Sequence, residues 1–204
     1  MKQDLVIKAL HKLKFTPEDV EKLSFFCDYL LNFNQKYNLI AKSTEYEIWT
    51  RHILDSAQIV KFINFKSGSS LSDLGSGGGF PGIIISIFNK NPAFHVKLHE
   101  KSPVKCDFLN KISEKIDLNC EVITGDLNAQ IIDSQYIVCR AFKKMPEIMR
   151  ISREIANKPH KIIILKGKSA QEEINKALKL FTFEYKLESS ITNEQSKIFI
   201  ANIL

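Results

Sequence analysis

Hydrophobic positions recur in two different rhythms along the chain. In residues 1–66 apolar side chains return every three or four positions, the spacing typical of amphipathic helices. After Gly68, Ser69 and Ser70 the pattern changes to short apolar runs separated by helical segments. The sequence therefore predicts a helical N-terminal extension, residues 1–66, followed by an α/β domain, residues 67–204.

The extension carries a helix-start signal. Thr16 suits the N-cap position, Pro17 the first helical position, and Asp19 lies three residues after the cap. A second helix is predicted over residues 46–62, where Ile48, Ile53 and other apolar residues recur in the same rhythm.

The second part alternates strand-like and helix-like segments. The predicted strands are 71–75, 95–100, 120–126, 136–142, 161–167, 183–189 and 196–203. The predicted helices are 81–90, 103–117, 144–156 and 169–180. Alternating strands and helices form a mostly parallel sheet that is covered on both faces. The last two runs leave no room for a helix between them, which predicts an antiparallel hairpin at one edge of a seven-stranded, Rossmann-like sheet.

Composition excludes several classes of protein. The 204 residues are 44% hydrophobic and 25% charged, as in ordinary soluble proteins, and no apolar run approaches the roughly 20 residues of a membrane-spanning helix. Charged residues interrupt the N-terminal "MKQDLVIKALHKLKF", which argues against a signal peptide and for a cytoplasmic protein. The four cysteines form no CxxC pair and no His cluster accompanies them, so buried free thiols and no metal are expected.

Positive charge is concentrated in one segment. The chain carries a formal net charge of +6, and residues 140–168 contain nine Lys or Arg against two acids. A basic segment favours a polyanionic partner, because neutralised phosphates release counterions. The alternative is a solvated helix face without a partner.

The stretch "DLGSGGGFPG" occupies the first strand-to-helix turn, where open parallel sheets bind their ligands. Gly75, Gly77 and Gly79 permit positive φ and close backbone approach, and Pro81 suits the first turn of a helix whose free N–H groups favour an anion. Phe80 breaks the dinucleotide pattern G-x-G-x-x-G, and there is no G-K-[ST] of a P-loop. The alternative is a glycine-rich turn with no ligand.

Two acids follow at the ends of the next predicted strands. Glu100 can accept the ribose hydroxyls of a nucleoside, and Asp126 can accept the exocyclic amine of adenine. Either one alone is more often a solvated strand-end acid. Together with the glycine turn they favour a nucleoside cofactor.

At these residues the chain resembles the class I S-adenosylmethionine-dependent methyltransferases, and within them the bacterial RsmG/GidB family of 16S rRNA guanine-N7 methyltransferases. The resemblance rests on "YNLIAKST", "RHILDS", "DLGSGGGFPGI", "CRAF" and "ILKG", which span nearly the whole chain. It implies a class I methyltransferase fold with S-adenosylmethionine as cofactor. It also implies 16S ribosomal RNA or the small ribosomal subunit as partner, and we expect a monomer.

The resemblance also implies roles for individual residues. Gly75 and Phe80 would contact the cofactor, Leu127 and Asn128 would flank its adenine through backbone, and Arg140 would lie between cofactor and substrate. Many relatives carry an acidic residue at the position of Leu127 or Asn128. If that contact needs a carboxylate, adenine binding here depends on Asp126.

Methyl transfer to guanine N7 needs no general base, because N7 carries a lone pair and no proton. Positioning then supplies most of the catalysis, and Arg140 and Lys166, at the ends of neighbouring strands, are the candidate catalytic residues that bind the guanine O6 or a phosphate. Transfer to an exocyclic amine commonly uses D/N-P-P-Y/F where this chain has "CRAF". Cys139 is a candidate nucleophile of 5-methylcytosine chemistry, but a core cysteine fits its context better. The expected RNA-binding residues are Lys143, Lys144, Arg150 and Lys168.

Three questions stay open at this point. Arg51, His52 and Asp55 form either a tie between the extension and the sheet, which we favour, or a catalytic His–Asp pair, or an RNA contact. Phe80 and Phe142 either stack on a flipped base or belong to the core. The competing functions are methylation of another RNA or small molecule, a dinucleotide-dependent oxidoreductase, and a non-catalytic RNA-binding protein.

Overall fold

The computed structural model describes residues 2–66 and 68–203, which form an N-terminal group of helices and one seven-stranded sheet. The strands are β1 (Ser70–Leu74), β2 (His95–Glu100), β3 (Cys120–Thr124), β4 (Tyr136–Arg140), β5 (His160–Lys166), β6 (Tyr185–Ser189) and β7 (Lys197–Ile203). The α-helices are α1 (Gln3–Lys12), α2 (Pro17–Asn34), α3 (Asp55–Ala57), α4 (Gly82–Phe88), α5 (Pro103–Lys115), α6 (Met145–Ile155) and α7 (Ala170–Leu178).

The strand order is β3-β2-β1-β4-β5-β7-β6. Strands β1 to β5 pair in parallel, and β7 pairs antiparallel with both β5 and β6. The predicted parallel sheet with an antiparallel edge hairpin is confirmed. The strand order reverses between β1 and β4, which is the place where doubly wound sheets open a crevice for a ligand.

Alternate residues of the central strands face two separate cores. In β4, Tyr136 and Val138 belong to the core shared with the N-terminal helices, α4 and α5, whereas Ile137 and Cys139 face the core shared with α6 and α7. Both faces of the sheet are therefore buried, which explains why the central strands read as continuous apolar runs.

The N-terminal helices pack on one face of the sheet. The predicted start of α2 is confirmed: Asp19 N–H donates to Thr16 Oγ1 at 3.2 Å, and Thr16 N–H donates to the Asp19 carboxylate at 2.8 Å. Phe26 of α2 lies 5.4 Å from the Phe80 ring and joins the same core as the sheet. The division into two domains stays a prediction, and its boundary at residue 67 lies outside the described residues.

The second predicted helix, 46–62, is less regular than its pattern indicates. Residues Lys42–Glu47 form a 3₁₀ helix, Trp49–Leu54 a π-helix, α3 follows, and Gln58–Phe62 is again 3₁₀. Changes of helical pitch within one segment re-aim its side chains and often occur at functional sites. The prediction of a single α-helix is wrong here, and polar tertiary contacts described below supply the reason.

Several strands end earlier than predicted. Strand β3 ends at Thr124 because Gly125 has a φ of +128°, and β4 ends at Arg140 because Ala141 has a φ of +50°. Both values lie outside the β region, so the chain leaves the sheet at these residues.

Cys27, Cys106 and Cys139 are buried free thiols, as predicted, and Cys120 is half-buried. Burial raises the pKa of Cys139 to about 12, which disfavours the thiolate that a nucleophilic cysteine needs. Within residues 2–66 and 68–203, no helix is both long and apolar enough to cross a membrane. No group of three or more His, Cys, Asp or Glu side chains in the same part of the chain could hold a metal ion.

Candidate active site

A cavity of about 680 Å³ opens at the carboxyl ends of β1, β2, β3 and β4. Eight of the nine predicted cofactor-binding residues line it: Gly75, Gly77, Phe80, Glu100, Asp126, Leu127, Asn128 and Arg140. The structure therefore brings together residues that are up to 65 positions apart in the chain.

The glycine turn forms one wall of this cavity. Gly75 and Gly77 have φ values of +70° and +58°, a conformation that favours glycine. A Cβ atom at Gly75 would lie 2.4 Å from Cδ2 of Phe142, so bare backbone is needed for that ring to lie over the turn. Phe142 and Phe80 both line the cavity, but Phe80 is only 4% exposed and packs on Phe26 and His52.

Gly79 lies outside the cavity lining. A Cβ atom there would come within 2.7 Å of Ile83, so this glycine faces the protein interior. The start of α4 is also not free for a ligand, because Gly82 N–H donates to the buried Asp73 carboxylate at 3.0 Å. Asp73 thus supplies the anion that the sequence led us to expect from a ligand. Burial raises the pKa of Asp73 to about 7.

Glu100 fastens the glycine turn to the end of β2. Its Oε2 accepts the Gly77 N–H at 2.9 Å, and Oε1 accepts the N–H groups of Lys101 and Ser102 at 2.9 and 2.8 Å. A carboxylate offers about four lone-pair sites, so this arrangement leaves one for a ligand hydroxyl. The prediction that Glu100 accepts both ribose hydroxyls requires one of these main-chain contacts to give way.

Asp126 begins the short 3₁₀ turn Leu127–Ala129 beyond β3. Its Oδ1 accepts both the N–H and the side-chain amide of Asn128, each at 2.9 Å. Leu127 is buried, while Asp126 and Asn128 are exposed along the cavity rim. This turn places backbone groups of Leu127 and Asn128 beside the cavity, whatever side chains they carry.

Arg140 is held by the π-helical turn of the N-terminal extension. Its Nη1 donates to the carbonyl oxygen of Arg51 at 2.9 Å, and its Nη2 donates to Nδ1 of His52 at 2.6 Å. The Asp55 carboxylate lies 3.6 Å from Nη1. These contacts make Arg51, His52 and Asp55 a tie between the extension and the sheet, the interpretation favoured above. His52 and Asp55 meet through Arg140, and each makes further contacts of its own.

Lys166, the second predicted catalytic residue, lies away from the first cavity. It lines a neighbouring cavity of about 480 Å³ that shares Arg140, Phe142 and Lys143 with the first. Lys166 Nζ donates to Glu173 Oε2 at 2.7 Å and to the carbonyl oxygen of Lys143 at 2.6 Å. Burial raises the pKa of Glu173, but hydrogen bonds from Lys166 and from the Met145 N–H outweigh it and hold that pKa below its ordinary value.

The predicted RNA-binding residues do not share one environment. Lys143 is half-buried and pairs with Glu147, Lys144 is exposed beside the second cavity, Arg150 pairs with Glu154 on α6, and Lys168 is exposed after β5.

The basic segment 140–168 is divided by the fold. Lys158 precedes β5 and Lys161 lies at its start. Both are therefore at the amino end of this strand, whereas the two cavities lie at the carboxyl ends of the strands. The concentration of charge in the sequence therefore overstates the charge of any single surface.

Sequence reasoning missed one wall of the first cavity, formed by Leu39, Ile40 and Ala41. Asn34, at the end of α2, shapes this wall because its Oδ1 accepts the N–H groups of Leu39 and Ile40 at 2.7 and 3.0 Å. The stretch "YNLIAKST" marks the segment in the sequence, but nothing in its composition indicates that it reaches a strand end of the sheet.

Comparisons with known proteins agree with this geometry. The model of the GidB family, rRNA small subunit methyltransferase G, matches residues 19–200. A Ribosomal RNA small subunit methyltransferase G from Pelagibacter ubique (strain HTCC1062) is 38% identical over 191 residues, which cover 91% of this chain and 88% of the relative. The protein of the same name from Rickettsia akari (strain Hartford) is 36% identical and covers 91% of this chain and 95% of its own length.

Among solved structures, a SAM dependent methyltransferase from Aquifex aeolicus superposes with a TM-score of 0.59 at 16% identity, over 74% of this chain and 91% of that chain. At this identity the likeness shows the fold, and the predicted class I methyltransferase fold is confirmed. The family match covers most of the chain. The chain belongs to the GidB family of small-subunit rRNA methyltransferases.

Proposed function

We propose that this protein transfers the methyl group of S-adenosylmethionine to N7 of a guanine in 16S ribosomal RNA. The observation that carries the proposal is the first cavity, in which the glycine turn, both strand-end acids and Arg140 converge. Its volume of about 680 Å³ suits a nucleoside-sized ligand, since small-molecule sites commonly enclose roughly 300–1,000 Å³. Membership of the family supplies the methyl donor and the RNA.

The cavity residues fit the cofactor. Glu100 Oε2 retains a lone pair for a ribose hydroxyl, and the glycine turn presents Gly77 without a side chain, while the Phe142 ring lies over Gly75. The turn at Asp126 offers its backbone and the second carboxylate oxygen to the adenine. Arg140 Nε is buried and has no hydrogen-bond partner in the part of the chain that the structure describes. The rest of the Arg140 side chain borders the cavity.

When bound, the sulfonium supplies an electrophilic methyl group. The protein's contribution is to hold guanine N7 in line with it, because N7 needs no deprotonation. Arg140 borders both cavities and is the group best placed to donate to guanine O6 or a phosphate. Phe142 borders the same two cavities, and its ring face can stack on a base.

Lys166 has a smaller share in this proposal than the sequence indicates. Its ammonium already donates to Glu173 and to a main-chain carbonyl, so it acts on the substrate mainly by shaping the second cavity. Lys143, Lys144, Arg150 and Lys168 are proposed to contact RNA phosphates. The enzyme is further proposed to act as a monomer in the cytoplasm.

The decisive experiment measures transfer of labelled methyl from S-adenosylmethionine to small ribosomal subunits and to naked 16S rRNA that lack the modification. We expect label on one guanine, lost when that guanine is replaced by 7-deazaguanine, which has no N7 lone pair. Label on an exocyclic amine or on a small molecule would overturn the acceptor assignment. RNA binding without cofactor binding in calorimetry would support a non-catalytic RNA-binding protein instead.

A further inference from the structure

Arg140 receives its orientation from residues far away in the chain. The two hydrogen bonds to Arg51 and His52 cross 89 and 88 positions. The guanidinium carbon also lies 5.0 Å from the centre of the Phe80 ring. A guanidinium is planar, so fixing both terminal nitrogens also fixes the direction of the Nε–H bond. That N–H is buried and has no hydrogen-bond partner among residues 2–66 and 68–203.

The imidazole of His52 has only one consistent hydrogen-bonding state. Arginine has no acceptor, so Nδ1 of His52 must accept from Arg140 and carry the lone pair. The neutral ring then bears its proton on Nε2, which lies 2.9 Å from Thr44 Oγ1. Thr44 Oγ1 in turn donates to the carbonyl oxygen of Ala41 at 2.7 Å. Hydrogen bonds are thus donated from Arg140 to His52, from His52 to Thr44 and from Thr44 to Ala41 in the cavity wall.

The surroundings of His52 keep it in that state. Burial lowers the pKa of His52 to about 3, and the charges of Arg140 and Arg51 lower it as well. An imidazolium could not accept a hydrogen bond from a guanidinium. His52 also does not act as a general base, because its Nδ1 lone pair already accepts a hydrogen bond from Arg140 and guanine N7 has no proton to remove.

We propose that His52 is a positioning residue for Arg140: its Nδ1 lone pair, fixed in place through Thr44, holds the guanidinium where it borders both cavities and can contact the acceptor base. The proposal rests on the methyl-transfer function proposed above. It assigns to the N-terminal extension a direct part in orienting the acceptor, in addition to covering one face of the sheet.

Two substitutions of His52 distinguish the contribution of Nδ1 from that of Nε2. In His52→Asn the amide oxygen overlays Nδ1 and can still accept from Arg140. In His52→Gln the amide overlays Nε2 and can still contact Thr44, but the acceptor for Arg140 is lost. Both variants lose the ring contact with Phe80, so they are matched in packing.

We expect His52→Gln to lower the methyl-transfer rate constant by about tenfold or more, since small misplacements in a positioned site have effects of this order. His52→Asn should be at least about fivefold faster than His52→Gln. Affinity for S-adenosylmethionine, measured by calorimetry, should differ by less than about threefold between the two variants.

A double-mutant cycle tests whether His52 acts through Arg140. In the Arg140→Ala background, replacing His52 by Gln should lower the remaining rate by less than about twofold, because the group it positions is gone. Equal rates for His52→Asn and His52→Gln, or a full effect of His52→Gln without Arg140, would overturn the proposal. An inactive wild-type enzyme would instead contradict the proposed function.

A second measurement does not depend on activity or on the stability of His52 variants. Nitrogen-15 NMR of histidine-labelled wild-type protein should show the His52 ring with its proton on Nε2 and a bare Nδ1 from pH 5 to pH 9. The Thr44→Val variant should weaken this tautomer preference. A proton on Nδ1 in the wild-type protein would contradict the assignment.

Discussion

Arg140 and Lys166 occupy equivalent places in the sheet but have different partners. Each is the last residue of its strand, β4 and β5, and each side chain is mostly buried, with 17% and 10% of its surface exposed. Lys166 donates to a carboxylate within the same α/β unit. Arg140 donates to a carbonyl oxygen and a neutral ring of the N-terminal extension, with the Asp55 carboxylate 3.6 Å away, and its Nε has no hydrogen-bond partner among the described residues. The two cations therefore differ in what they join: Lys166 pairs with a carboxylate of its own α/β unit, whereas Arg140 connects the N-terminal extension to a strand end that borders both cavities.

The largest effect is expected from removing Arg140, the cation that borders both cavities. Arg140→Ala should lower the methyl-transfer rate by about a hundredfold, the range seen when a preorganised donor is lost from an active site. Arg140→Lys keeps the charge but not the planar fork, so it should recover little of the rate. The rate is measured with saturating labelled cofactor, and thermal unfolding serves as the control. A rate within about threefold of wild type would remove the difference between the two cations.

Lys166→Met should act on stability more than on catalysis. It leaves the half-buried Glu173 carboxylate without its charged donor, a loss of about 1–3 kcal/mol in the free energy of unfolding. The rate of methyl transfer should fall less than about tenfold. Adding Glu173→Gln should restore part of the stability, because the uncompensated charge is removed. A hundredfold loss of rate with unchanged stability would make Lys166 the catalytic equal of Arg140.

The contribution to RNA binding of the lysines next to Arg140 can be compared with that of the lysines at the amino end of β5. Lys143→Glu with Lys144→Glu should weaken RNA binding about tenfold and reduce the slope of log affinity against log salt by about two. Cofactor affinity is measured in parallel, because Lys143 also lines the first cavity. The same charge change at Lys158 and Lys161 is the matched control, because these residues lie at the other end of β5. Equal losses of RNA affinity for the two pairs would mean that RNA contacts both ends of the strands.

The last prediction concerns stability at acid pH, because His52, the partner of Arg140, and Glu173, the partner of Lys166, titrate in different pH ranges. The pKa of His52 is lowered to about 3 in the folded state from an ordinary value of 6.5, so its contribution to stability is complete above pH 6.5 and is lost as the pH falls towards 3. The pKa of Glu173 is also lowered, so its contribution is complete above 4.5 and is lost only at more acid pH. As the pH falls, the contact between His52 and Arg140 should therefore weaken before the ion pair between Glu173 and Lys166.

Denaturant unfolding of wild type and His52→Asn from pH 7 to pH 4 measures this difference. The advantage of the wild-type protein should shrink by at most about 1.4 kcal/mol per pH unit, the limit for one proton. An advantage that is constant over this range would show that His52 takes up its proton equally in both states.

Much of the fold follows from local pattern. Apolar runs with helical segments between them indicate a parallel sheet, and the short gap before "SKIFIANI" indicates the edge hairpin. The positions of Glu100 and Asp126 follow from the same logic, because carboxyl ends of parallel strands meet at one edge. What a strand-end side chain does there depends on neighbours that local pattern does not reveal.

The contacts of Arg140 illustrate this limit. Neither helical periodicity nor spacing indicates that the segment 42–62 changes pitch, since the cause is a set of hydrogen bonds to residues such as Ser190 and Arg140, far away in the chain. For the same reason the predicted equivalence of Arg140 and Lys166 could not be corrected from sequence. Gly79 is similar: glycine was expected at a ligand, but its bare backbone accommodates the protein's own Ile83.

The distance along the chain between His52 and Arg140 has a consequence for synthesis. Translation produces the imidazole 88 residues before the guanidinium that it holds. A growing chain can close the glycine turn on Glu100 once β1 and β2 have emerged, whereas the acceptor side must wait for β4 to insert beside β1. The glycine turn and the orientation of Arg140 therefore depend on segments that leave the ribosome at different times.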